Sequence, residues 1–593
     1  MVASSPVDMP KDEASINESS ERPGSVLDRW DALIAACLGT SYLGLMLGSV
    51  RNLGYARDEG FYFQAARTIE SWLDVFSQVG SEAFEQRVTD PYFAVNREHP
   101  ILMKSLFALS HRFLHQRWGI FEEAGTAYRF PGMAMAVLAI VVVYLWGREV
   151  RGRVAGVVSA LLLALMPRVF YHAHLACFDM PVAAMWLVTS YVYFRSLGRG
   201  PGWAVATGVL YGLLLDTKHN SWLLPFALVA HLVALRVMER WHGLSRRGPL
   251  VPWAFLAMLG LGPLVFYALW PWIWFDTFAR LSEYARFHLG HEYYNMEFLG
   301  ETYWKPPMPR LYAWVMTLAT VPGITLVLFG VGVFDSVRHA LGRHAARVLS
   351  WVKKTSAPAE TSDVPPPSVE RLGADSLWVV CLLVSYAPWL SSSTPIFGGT
   401  KHWITAYPFL CLLAGHGFSV VLERIASMVA SQKIKNWTIR PEVVAGAVAA
   451  LCVVGPLVMT LHSHPWGLTF YTPLVGGAPG AASLGLNRTF WGYTTGALTD
   501  ELDARSDPGG PTYVHDTALQ SWEMLQRDGR VSPRLRGTLA IQGSHLALYH
   551  HEPHMRRVEY QVWVDYGTRA PVAVGVYDGV PVAWLYERPG AGR

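Results

Sequence analysis

Long apolar stretches alternate with short polar or basic connections for most of this chain. A helix that crosses a bilayer needs roughly 20 mainly apolar residues. About eleven stretches approach that length: 32–50, 130–147, 153–171, 180–197, 203–217, 220–238, 251–271, 311–334, 375–391, 403–422 and 443–461. The fifth and sixth are short and separated only by DTKHN. Two other segments are apolar on one side only. After Asp58, the residues Phe61, Ala65, Ile69, Trp72 and Phe76 recur at spacings of three and four, which predicts an amphipathic helix suited to a membrane interface. The stretch ILMKSLFALSHRFLHQRW (101–118) is interrupted by Lys104, His111 and Arg112, and reads as a second helix lying at the surface.

The polar segments complete the organisation. Residues 1–28 carry no apolar pattern and read as a disordered cytoplasmic N-terminus, without the positive start and short apolar core of a cleaved signal peptide. The proline-rich run 355–370 reads as a linker. The region 462–593 has polar turns, a helical patch (ALQSWEMLQRDG) and strand-like runs (AVGVYDG, VAWLYER). It predicts a small soluble α/β or α+β domain after a membrane domain over 29–461.

Lys and Arg collect in GREVRGR (147–153), FRSLGRG (194–200), RVMERWHGLSRR (236–247), RHALGRHAARVLSWVKK (338–354) and ERIASMVASQKIKN (423–436). With the N-terminus cytoplasmic, all five fall on the cytoplasmic side, as the positive-inside tendency requires. The first outer loop, 51–129, then lies outside, together with 172–179, 216–220, 272–309, 391–402 and everything after 461. The expected location is a bacterial inner (plasma) membrane.

Composition agrees. The 593 residues are 52% hydrophobic and 16% charged, where soluble proteins carry about 25% charged residues. The net charge of +4 offers no case for nucleic acid. Cys37, Cys177, Cys381, Cys411 and Cys452 are scattered, without metal-ligand, redox or disulfide spacing.

Chemistry-bearing residues gather on the outer side. Asp58, Glu59 and Asp179 are carboxylates near the outer interface, and His99, Lys104, Lys218, His219, Lys401 and His402 are candidate phosphate partners in outer loops or at their edges. Transfer of a sugar from a lipid phosphate needs a base for the acceptor and cations for the leaving phosphate, both at this depth. Each residue also has a plainer reading. Acids at a span end are most often solvated, and lysines there snorkel to head groups. Asp179 favours the start of its helix, and the H-x-H of His172 and His174 makes ordinary hydrogen bonds more often than a metal site. Their concentration on one side favours the chemical reading.

The acidic pair in RDEGFYFQAAR, then EHPILMK (98–104), then FDMP (178–181), resembles the polytopic glycosyltransferases that use polyprenyl-phosphate sugars, including protein O-mannosyltransferases and aminoarabinose transferases. EHPILMK is close to an HPPLxK signature, with Ile101 replacing the second proline. GLLLDTKHNSWLLP (212–225), KHWITAYPFL (401–410) and 464–493 resemble further family segments. The resemblance covers roughly 30–500 and implies a GT-C fold of the glycosyltransferase family 39 type. It implies Asp58 as general base with Glu59 beside it, and Asp179 orienting acceptor or sugar. His99 and Lys104 would lie near the donor phosphate, with Lys218, Lys401 and His402 as further phosphate candidates. The implied reaction is a direct displacement with inversion. Partners would be a polyprenyl-phosphate-linked sugar, an extracytoplasmic acceptor and membrane lipids. No DxD-type motif for a nucleotide sugar is present; participation of a divalent metal stays open.

Two other classes compete. A lipid or solute transporter or flippase would place charges within its spans, often at broken helices near the midplane. Here the charges gather at the outer ends. A non-catalytic envelope scaffold would account for the tail and leave the outer acids and bases unexplained.

Overall fold

A computed structural model describes residues 28–352, 368–431, 440–507 and 509–590. The N-terminal segment and most of the 355–370 segment, expected as a disordered tail and a linker, lie outside the described residues. α1 (Arg29–Ser49) begins at Asp28, whose carboxylate accepts from the amides of Trp30 and Asp31 while Asp31 returns a bond to the Asp28 amide. This reciprocal cap satisfies donors that a helix start leaves open.

The first outer loop is helical. α2 (Arg57–Val79), α3 (Gln86–Phe93) and α4 (Leu102–Ser110) lead into a π-helical turn over His111–Arg117. The amphipathic reading of α2 holds with its inner face rotated: Ala65 and Ile69 are buried, but Phe61 and Phe76 are exposed, and Glu59, Gly60, Tyr62, Phe63 and Ala66 complete the inner face. The reason is its neighbours. α2 packs against α4 and against a helix of the C-terminal region, which the pattern of one segment does not reveal.

The bundle continues with α5 (Ala124–Arg151), α6 (Arg153–Ala164), α7 (Pro167–Ala173), α8 (Asp179–Ser196), α9 (Pro201–Leu215), α10 (Leu224–His242) and α11 (Trp253–Leu269). After the short α12 (Thr277–Leu289) and a two-stranded hairpin, β1 (Met296–Phe298) with β2 (Glu301–Tyr303), come α13 (Tyr312–Thr320), α14 (Gly323–Val352), α15 (Val369–Tyr386), α16 (Tyr407–Ser431) and α17 (Pro441–Ser463). Each expected span is helical, but the expected count of eleven does not carry over. Among the described residues seven helices are long and apolar enough to cross a membrane, or eight if α6 and α7, bent by 73°, count as one. The break precedes Pro167, and the expected span 311–334 is likewise divided before Pro322. A residue ahead of proline is pushed out of the helical region, and Met166 and Val321 are both extended. α9 and α11 have 15 and 17 residues, about 22–26 Å of helix. α8 is walled almost entirely by protein.

Four of the five basic clusters meet at one end of the bundle. Arg148 and Arg153 pair with Asp31, Arg151 with Asp375, Arg195 with Glu149 and Arg247 with Glu370. Arg338 pairs with Asp335, which also meets His416. The fifth cluster lies partly outside the described residues.

The C-terminal region is an α/β domain, as expected. A helical and irregular stretch includes α18 (Gly477–Ser483) and α19 (Thr499–Asp503). It precedes β3 (Gly510–Val514), α20 (Leu519–Arg527), β4 (Leu535–Thr538), β5 (Leu546–His550), α21 (Arg556–Tyr566), β6 (Ala573–Tyr577) and β7 (Val580–Glu587). The sheet order is β4-β3-β5-β7-β6, with β4, β3 and β5 parallel and the last two strands antiparallel. This domain is clamped to the start of α2. Ser521 donates to the Ala56 carbonyl at 2.8 Å, and the Arg57 amide donates to the Trp491 carbonyl at 3.1 Å. Gly60 lies so close to α20 that a Cβ there would stand 2.6 Å from the Ser521 hydroxyl. Asp528 accepts from the Tyr55 hydroxyl and from the Ala124 and Gly125 amides at the start of α5.

Candidate active site

The acidic pair divides at once. Glu59 is completely buried and receives Arg129 in a two-pronged contact, Nε to Oε1 and Nη2 to Oε2, both 2.7 Å. Its oxygens also accept from the amides of Ala56 and Ala176, at 2.9 and 3.0 Å. Arg129 donates on to the carbonyls of Val50, Leu53 and Gly54 and stacks over Tyr55. Glu59 therefore ties three segments together: the end of α1, the start of α2 and the 172–179 loop. With both oxygens occupied by structural donors, it has little capacity left for a substrate proton.

Asp58 has the opposite setting. Its side chain keeps 20% exposure, its Oδ2 accepts from Lys401 Nζ at 2.9 Å, and Arg57 Nε is 3.8 Å from Oδ1. Burial alone would raise this carboxyl, but Lys401 and then Arg57 outweigh it and hold Asp58 well below the usual carboxylate range. Lys401 also sits over the rings of Trp491 (4.4 Å) and Phe397 (5.4 Å). A cation between an acid and two aromatic faces is well held.

Asp179 begins α8 and binds Lys218 Nζ through Oδ1 at 2.5 Å, with His172 Nδ1 3.9 Å from its other oxygen. The two motif acids thus each hold a motif lysine. His99 lies against Tyr62 and Phe178, ring centroids 5.6 and 5.1 Å away. Desolvation, then His288 and Lys218, hold its imidazole well below its ordinary value, so it is neutral near pH 7 and offers hydrogen bonding rather than charge.

Lys104 and His402 serve the local chain. Lys104 Nζ donates to the carbonyls of Asn96 (2.8 Å) and His99 (2.7 Å), closing the turn that presents His99. Burial brings its amine down to about 7. His402 Nε2 accepts from the amides of Phe397 and Gly398, at 3.2 and 3.0 Å, and so shapes the loop that carries Lys401. His219 stacks on His288 at 3.9 Å. Of the H-x-H pair, His174 bonds to the Phe170 carbonyl and the Ser49 hydroxyl, and only His172 faces the site. Among the described residues no group of three His, Cys, Asp or Glu could hold a metal ion.

Arg168 escaped the motif reading. It is buried to 1% exposure beneath Tyr471 and Phe490. Its Nη2 donates to the Phe470 carbonyl at 3.4 Å, and Nε and Nη1 have no acceptor among the described residues. A buried guanidinium without a carboxylate costs several kcal/mol. The only sequence signal was an arginine directly after Pro167, inside an apolar stretch.

Residues 99–272 match the profile of the family described as "Dolichyl-phosphate-mannose-protein mannosyltransferase". No curated protein sequence matches the chain. Among solved structures, ArnT from Cupriavidus metallidurans bound to undecaprenyl phosphate aligns over 94% of this chain and 97% of its own, with 16% identity and a TM-score of 0.40. The archaeal oligosaccharyltransferase AglB from Archaeoglobus fulgidus, in complex with an inhibitory peptide and a dolichol-phosphate, aligns over 91% of this chain and 72% of its own, with 12% identity and a TM-score of 0.45. The profile match covers less than a third of the chain and takes in the end of EHPILMK, FDMP and the DTKHN connection, so residues 99–272 are similar to this family.

Proposed function

We propose that the protein moves a sugar from a polyprenyl-phosphate donor to an extracytoplasmic acceptor by inverting displacement, with Asp58 as the general base. The acceptor O–H gives its proton to Asp58, its oxygen bonds to the anomeric carbon, and the bond from that carbon to the phosphate oxygen breaks. The carrying observation is the Asp58–Lys401 pair at 2.9 Å, a partly accessible carboxylate matched to one cation. In this state Lys401 makes Asp58 a weak base. A donor phosphate that draws Lys401 toward itself would free the carboxylate and raise its basicity as the leaving group is bound. Lys218 and the unmatched Arg168 are the other cations that support phosphate binding, and Asp179 holds Lys218.

The membrane domain is taken as 29–461 and the outer domain as 462–593. The site and the C-terminal domain share one end of the bundle, and the paired basic clusters occupy the other. This supports an extracytoplasmic site under the positive-inside tendency, in a plasma membrane. The test is release of polyprenyl phosphate by the purified protein in lipid, given a panel of polyprenyl-phosphate sugars and a cell-envelope extract. Wild type is expected to consume one donor; consumption of none would count against the function.

A further inference from the structure

A narrow open cleft of about 60 Å³ lies between the C-terminal domain and the start of α2. Arg57, the neighbour of the proposed base, lines it from the membrane side with Tyr294 and Phe397. Asn487, Trp491 and Glu552 line it from the C-terminal domain. Two buried polar atoms in this lining lack partners among the described residues: Glu552 Oε2 and Trp491 Nε1. Glu552 is only 2% exposed, and its other oxygen accepts from the Thr489 amide and hydroxyl at 2.5 and 3.1 Å. A half-satisfied acid in a closed wall is costly unless something completes it.

The charges of this cleft are already matched. Asp516 pairs with Arg57 at 2.6 Å and Glu297 with His554 at 2.8 Å. Burial pushes Glu552 up to about 8, so near neutrality it is an uncharged acid able to donate as well as accept. Both Arg57 and His554, the basic residues of the lining, are thus engaged by carboxylates. A neutral molecule with many hydroxyls would meet an amide, a carboxylic acid and an indole N–H between aromatic faces, the arrangement that suits the apolar face and hydroxyl rim of a sugar ring.

We infer that this cleft is the acceptor subsite and that the acceptor presents a neutral saccharide to it, with the C-terminal domain supplying its recognition. The inference rests on the transferase reading above. It assigns the lipid phosphate to Lys401, Lys218 and Arg168, and the acceptor to the cleft lined by Arg57, the neighbour of Asp58.

The test is photolabelling of the full chain in lipid nanodiscs with diazirine-bearing glycosides of glucose, galactose and N-acetylglucosamine, followed by mapping of the labelled peptides. At least one glycoside is expected to label 487–491 or 552–555. Glu552→Ala and Asn487→Ala are each expected to reduce that labelling about tenfold, the equivalent of about 1.4 kcal/mol for one lost bond. Glu552→Gln, which keeps a donor and an acceptor in place, should stay within about twofold of wild type. Labelling is read without any donor present, so failure of the base assignment and failure of the subsite read out separately. Labelling only elsewhere, none with any glycoside, or equal labelling in Glu552→Ala and wild type would overturn the inference. Preferential labelling of the cleft by a diazirine-bearing serine peptide would overturn it too.

Discussion

Asp58 and Glu59 are adjacent in sequence, yet α2 turns one toward a lysine at the edge of a cleft and the other into a sealed pocket of donors. Glu59 has four donors and no exposure; Asp58 has one close cation and 20% exposure. A carboxylate with every lone-pair direction filled fixes chain segments in place. One with a single displaceable partner can take a proton. The comparison teaches that an acidic motif can divide its labour between holding the site and working in it.

The largest expected effect falls on the holding half. Glu59→Ala leaves Arg129 buried and unpaired, and should destabilise the protein by about 3–5 kcal/mol. Thermal unfolding in detergent would measure it, and a melting temperature equal to wild type would break the contrast. A smaller loss is expected from Lys104→Met. It leaves the His99 carbonyl without its Lys104 donor, at about 1–3 kcal/mol for one buried group fully deprived, while the Asn96 carbonyl keeps the His99 amide. Donor affinity should change less than stability does, which sharpens the distinction between groups that build the site and groups that touch phosphate.

The working half should show itself in pH. Asp58 is held well below the usual carboxylate range, so its pair with Lys401 contributes above the ordinary carboxylate pKa and is lost as pH falls through the depressed value. Lys401→Met removes the largest lowering influence and leaves burial, which raises the carboxyl. The acid limb of kcat/KM should therefore move to higher pH. An unmoved limb would mean that Asp58 is not the titrating base.

Much of this was readable in residues and spacing. The eleven helical stretches, the helices of the first outer loop and a C-terminal domain of mixed helices and strands follow from apolar periodicity, and the motif residues Asp58, Asp179, Lys218 and Lys401 do come together. Pairing across distance was not readable: Lys401 meets Asp58 over 343 positions, and nothing local selects it over His402. Nor does spacing tell where a side chain turns, which is why Lys104 stands as a phosphate candidate in its motif and yet closes a turn. Arg129 and Arg168 lie near span ends, where arginines ordinarily snorkel, and only the packed structure reveals that both are enclosed. The count of full crossings was not confirmed, because an apolar run reveals neither the bend in its axis at Pro167 nor that α9 and α11 have only 15 and 17 helical residues.

The most direct measurement compares Asp58→Asn and Glu59→Gln in one assay: release of polyprenyl phosphate per folded molecule, below the melting temperature of both. Asp58→Asn should melt like wild type and lose about 10²–10⁴-fold in turnover, the usual contribution of a general base. Glu59→Gln should melt earlier and turn over near the wild-type rate while folded. An active Asp58→Asn, or a well-folded but inactive Glu59→Gln, would contradict the account.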